Sequence, residues 1–171
     1  MDLLTIVLRI VHIGSGVLWV GGSALFFLYL EPTINKLGPD AEKFVDEVVN
    51  KRKVPIYFAA ASTLTVLGGA ILYWRFTNGL HVDVVTSASG LAFGIGGIAA
   101  VVAWVGSNLL IPSGLAKLGA IGKEIQAAGG PPSPALLGRM HAAQERLHIV
   151  GLLDMILLAV AVLGMASARY L

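Results

Sequence analysis

Ile10-Val11-His12-Ile13-Gly14-Ser15-Gly16-Val17-Leu18-Trp19-Val20-Gly21-Gly22 is the stretch that decides the fold. It lies inside Ile10 to Leu30, which holds no Lys, Arg, Asp or Glu. A helix needs about 20 apolar residues to cross the hydrocarbon core of a bilayer, and this stretch is long enough. An ionisable side chain at that depth is costly and is kept mostly where it binds something, which makes His12 the first functional candidate. The glycines and serine that follow it leave the nearby helix face almost bare.

The rest of the chain agrees. Of its 171 residues, 56% are hydrophobic and 13% charged, and the mean hydropathy is +0.81. A soluble domain of this size cannot hide that much apolar surface, so the partner is a lipid bilayer. Four spans follow, over about 3–30, 54–76, 84–111 and 147–169, with Pro55 tolerated in the first turn of the second. The predicted fold is all-α: a single membrane domain over 1–171, an up-down four-helix bundle with short amphipathic cytoplasmic helices in connections 31–53 and 112–146. With no cysteine, disulfides, thiolate metal sites and iron–sulfur clusters are excluded. A net charge of +2 without a basic–aromatic patch excludes nucleic acid.

Charge placement gives a direction. Lys36, Lys43, Lys51, Arg52 and Lys53 lie in the first connection, and Lys117, Lys123, Arg139 and Arg146 in the third. The positive-inside rule puts both connections in the cytoplasm and both termini outside, in a bacterial-type inner membrane. In the first connection, Phe44, Val45, Val48 and Val49 recur at helical spacing, so Pro39 to Val49 reads as a short amphipathic helix. Ser113 to Ala128 reads similarly and is closed by Gly129-Gly130-Pro131-Pro132. Ser133 then caps a helix that starts at Pro134 and runs through His141 and Arg146 into the fourth span. No long repeat is visible. Gly68-Gly69 and the step from Gly90 to Gly94 read as close-packing faces, or as a slot for a flat cofactor.

Depth decides which polar groups can meet. At 1.5 Å per residue, His12 lies roughly 8 Å outward of the midplane, with Arg9 one turn further out on the same face. Met165 falls about 10 Å outward, Asp154 about 5–7 Å inward, and Asn108 and His148 roughly 15 Å inward. No second histidine is level with His12, so a bis-histidine haem is not written in one chain. His12 therefore reads either as an imidazole bonded to a neighbouring helix or as a ligand of haem or a metal. In the second case its sixth position is open, filled by Met165, or filled from a second protomer. Arg9 would then pair with propionates or else snorkel to headgroups. Trp19 would flank the macrocycle or pack in the bundle. His148 and Asn108 read as an interfacial pair or a second site. Asp154 reads as a proton relay or as a carboxyl bonded to Ser62, Thr63 or Thr65.

The pattern of His12 followed by Leu18-Trp19-Val20-Gly21-Gly22 resembles small bacterial membrane proteins of the copper-resistance D type. Lys51-Arg52-Lys53 leading to Thr65-Val66-Leu67-Gly68-Gly69-Ala70 is similar to them too. A looser similarity links the layout to the membrane protoporphyrinogen oxidase family. The resemblance implies that His12 is a haem or metal ligand. No copper-loading Met- or His-rich segment and no downstream membrane lysine motif accompany it.

The expectation is a membrane b-type haem protein, with haem held by His12 (and Met165) near the outer side. It would act in electron transfer or as a haem-dependent oxidoreductase on a small diffusible molecule, a quinone or a gas, with a redox partner protein or as a homodimer. The alternatives are a transport protein for copper or another small solute, and a non-catalytic subunit of a membrane complex.

Overall fold

A computed structural model describes residues 2–171, the side chain of Pro39 excepted. Four helices are long and apolar enough to cross a membrane: α1 (Leu3–Leu37), α2 (Val54–Phe76), α3 (Ala88–Ala127) and α4 (Pro134–Tyr170). No strand occurs among the described residues. The chain is an all-α, multi-pass membrane bundle whose N-terminus, C-terminus and α2–α3 turn share one end, the terminal end. The connection end carries the α1–α2 and α3–α4 links.

The helices start where local chemistry satisfies their first N–H groups. The Asp2 carboxylate accepts from Thr5 N, Ser87 Oγ from Gly90 N, and Ser133 Oγ from Leu136 N, as expected of Ser133. Besides α4, which starts at Pro134 as expected, two helices outrun their apolar stretches. α1 continues to Leu37, and α3 absorbs the segment from Ser113 that reads as a separate helix in the sequence. Each passes a proline by widening first into a π turn, Phe26–Leu30 before Pro32 and Gly106–Leu110 before Pro112. Proline has no N–H and its ring crowds the carbonyl four residues back, so a locally wider turn lets the helix continue. The first connection holds a 3₁₀ turn (Gly38–Ala41), a short helix (Glu42–Asp46) and a π turn (Glu47–Lys51).

Small residues face inward and large ones face lipid. Trp19, Ala61, Ala103 and Leu158, one from each long helix, form the central cluster, with Ala99, Ala100 and Ala161 beside it. Ile10, Val17, Ile98 and Leu163 are each about two-thirds exposed. Without a hydrophobic force between helices in lipid, close approach of small residues supplies the packing. The two hairpins are built alike. In α1–α2, Gly16 meets the Thr65 methyl; in α3–α4, Gly96 meets the Ala161 carbonyl and Met165. That parallel, together with the paired π turn and proline, is a likeness that the sequence did not reveal.

Candidate functional site

His12 sits on α1 where α2 offers it no side chain to collide with. Its ring lies over Gly69, where a methyl group would stand 2.8 Å from Cε1, and its Cβ lies over Gly68. Nδ1 is 2.7 Å from the Thr65 carbonyl oxygen. A carbonyl only accepts, so Nδ1 carries the hydrogen, which in a neutral imidazole leaves Nε2 as the acceptor. Among the described residues no partner bonds Nε2. One turn along, Ser15 donates to the Val11 carbonyl at 2.6 Å, and Thr65 Oγ1 lies 2.9 Å from Ser15 Oγ and 2.8 Å from the Ala61 carbonyl. The Thr65 residue thus fixes both the ring and the serine next to it.

The same imidazole lines a cleft of about 450 Å³ that opens between α1 and α4. Its walls are Gly16, Val17 and Val20 on one side and Leu158, Val162 and Met165 on the other, with Thr65 and Ala100 contributed by α2 and α3. His12 and Met165 share this cleft, as their depths suggest. Trp19 also borders it but is 1% exposed, and its indole N–H is buried without a hydrogen-bond partner among the described residues. Arg9 lies exposed on the helix surface.

The expected haem b, and copper as its alternative, are corrected by these surroundings. Among the described residues no three or more His, Cys, Asp or Glu side chains come together as a metal would require. His12 is accompanied by a carbonyl, two glycines and apolar walls. A metal ion would have one imidazole and at most a thioether, too few and too weak a set of donors. The metal roles of His12 and Met165 lapse with the cofactor, as do the supporting roles of Arg9 and Trp19 around a macrocycle. Trp19 is a core residue.

A second polar group lies toward the connection end. Asp154 is 6% exposed and accepts from Ser107 Oγ at 2.9 Å, so its partner stands on α3 and not on α2 as the sequence suggested. Asn108 donates to Ser62 Oγ at 3.2 Å and to the Trp104 carbonyl at 2.8 Å, and Trp104 Nε1 donates to Thr63 Oγ1 at 3.0 Å. His148 does not pair with Asn108. Its Nδ1 is 2.8 Å from Glu31 Oε1, and its ring stacks on Phe27 at 5.1 Å. Ser107 and Asn108 lie within one π turn, and Glu31 follows the other. Glu31, Phe27 and Ser107 were missed because the rise per residue gives depth and not face, and a π turn changes the face of residues within and after it.

Comparison of the chain with family models, with curated proteins and with solved structures finds no match.

Proposed function

We propose that the chain is a bacterial-type inner-membrane protein that binds a small lipid-soluble molecule in the α1–α4 cleft, held by His12. The basic residues gathered at the connection end support placing that end in the cytoplasm and both termini outside. The observation that carries the reading is His12 itself. It is the one imidazole on an otherwise apolar cleft, locked by the Thr65 carbonyl so that Nε2 faces no protein donor among the described residues. A volume of about 450 Å³ falls in the ordinary range for small-molecule sites, and the opening between helices admits a ligand directly from lipid. A lone pair accepts from an O–H or N–H donor, and the ligand we propose supplies a hydroxyl. Among diffusible membrane molecules a quinol has one and the corresponding quinone does not.

The test is a titration of purified protein with a short-tailed benzoquinol, read by quenching of tryptophan fluorescence. Saturable binding that His12→Ala weakens about tenfold supports the reading, since one neutral hydrogen bond carries about that much. Equal binding by wild type and His12→Ala, or none by either, overturns it.

A second reading, a subunit or homodimer packed through α1, is favoured by Gly14 and Gly21. These glycines share one helix face, seven residues apart, and a methyl group added to either would meet nothing within 4 Å. The chain has no cysteine, so a Gly14→Cys variant reports on this cleanly. Disulfide-linked dimers formed in native membranes favour it, and exclusively monomeric protein under oxidant counts against it.

A further inference from the structure

We infer that the groove between α3 and α4 at the connection end is a binding site for the phosphate headgroup of an anionic phospholipid. The groove has a volume of about 270 Å³ and is lined by Ser113, Lys117 and Arg146 beside Leu110, Leu147 and Val150. Both cations are exposed, no carboxylate lines the groove, and among the described residues neither cation forms a salt bridge. Glu145, the residue before Arg146, does not line the groove, and Glu124 is held by both guanidinium nitrogens of Arg139.

Height and lean make the two charges converge. Measured along the helices from Ala100 and Leu158 in the core, the Lys117 Cα lies about 26 Å out and the Arg146 Cα about 18 Å out. Side chains lean toward the N-terminus of their own helix, and α3 and α4 run in opposite directions. Lys117 therefore reaches back toward the membrane and Arg146 reaches away from it, so their charges meet near 20–22 Å. The hydrocarbon core ends at about 15 Å from the midplane and the headgroup layer at about 20–22 Å. The charged part of the groove thus sits at headgroup level, and its apolar part, Leu147 and Val150, continues inward along the path of an acyl chain. Gly114 brings the helices close at the inner wall, where a methyl group would stand 2.8 Å from Leu147 Cδ1. Basic pockets between helices at this level are the recognised setting for anionic headgroups.

Detergent-purified full-length protein is titrated with phosphatidylglycerol, phosphatidylcholine or inorganic phosphate, with retained lipid counted by native mass spectrometry and thermal unfolding followed in parallel. The expected result is retention of phosphatidylglycerol that Lys117→Gln/Arg146→Gln weakens about 30-fold, while Lys36→Gln/Lys43→Gln, an equal charge loss elsewhere, does not. Equal weakening by the two double variants shows a general surface effect and overturns the site. Equal retention of phosphatidylcholine overturns its preference for anionic lipid. Stabilisation by inorganic phosphate that is lost in Lys117→Gln/Arg146→Gln overturns the lipid assignment in favour of a soluble anion. The site is separate from the His12 cleft, and either can fail without the other.

Discussion

The two hairpins meet along two seams, and the seams differ. Between α2 and α3, Tyr73 donates to the Gly90 carbonyl, Phe76 packs edge-on against Phe93, Trp104 donates to Thr63 and Asn108 to Ser62, so the seam is closed along its length. Between α1 and α4, contact is concentrated at the connection end, in the Glu31–His148 pair and the Phe27 stack, and above it the helices part to form the His12 cleft. Polar bonds between membrane helices are worth about 0.6 kcal/mol each on average, so the closed seam is held by several modest ties and by small-residue packing. The open seam lacks both at the level where its single imidazole stands. In a bundle whose hairpins are otherwise built alike, closure is structural and the gap is where the proposed ligand would sit.

The largest effect comes from the tight turn that leads into α3, at the terminal end of the closed seam. In Gly90→Ala, a Cβ would stand 2.0 Å from the Val84 carbonyl oxygen and 2.7 Å from that of Val85. Backbone cannot rotate away as a side chain can, so thermal or denaturant unfolding should show a loss of about 3 kcal/mol. A variant as stable as wild type would mean that the tight turn before α3 is not required. Next is Ser107→Ala, which leaves the buried Asp154 carboxyl without its hydroxyl donor and should cost about 2 kcal/mol in the same assay. Loss of stability well below that would indicate that Asp154 finds another partner.

A smaller effect lies at the start of α1. Asp2 accepts hydrogen bonds from Thr5 and faces Arg75, and these contacts, the Thr5 bonds foremost, lower its pKa from the usual 3.8. A carboxylate with a depressed folded-state pKa adds stability above its ordinary value and loses it as the pH falls through the lowered one. Stability should therefore dip slightly below about pH 4, and Asp2→Asn should remove that dip while leaving the rest of the pH profile intact. The smallest change in stability is expected for Val162→Phe in the open seam, within about 0.5 kcal/mol, because the added ring enters free space. The same variant should nevertheless abolish quinol quenching, which separates the role of the cleft from that of the fold.

The sequence made the spans, their number and the start of α4 at Ser133 legible, because hydropathy and caps are local properties. It also placed His12 and Met165 at one level, and they do share a cleft. What stood opposite His12 was not legible. A lone histidine in an apolar run reads equally as a ligand or as a bonded imidazole, and the choice rested on Gly68-Gly69 and the Thr65 carbonyl across the interface. Asp154 and His148 were assigned to the wrong partners for a related reason: the π turns before Pro32 and Pro112 shift which face carries Glu31, Ser107 and Asn108. Residue spacing at 3.6 per turn cannot register such a shift.

The central claim is that His12 Nε2 is a lone pair awaiting a hydroxyl donor, and nitrogen-15 NMR of histidine-labelled protein in bilayers tests it most directly, with His12→Ala assigning the signal. The account predicts a ring protonated at Nδ1 whose unprotonated Nε2 resonance moves on addition of benzoquinol and stays in place with benzoquinone. A ring already protonated at Nε2, or an Nε2 resonance indifferent to the quinol, would contradict it.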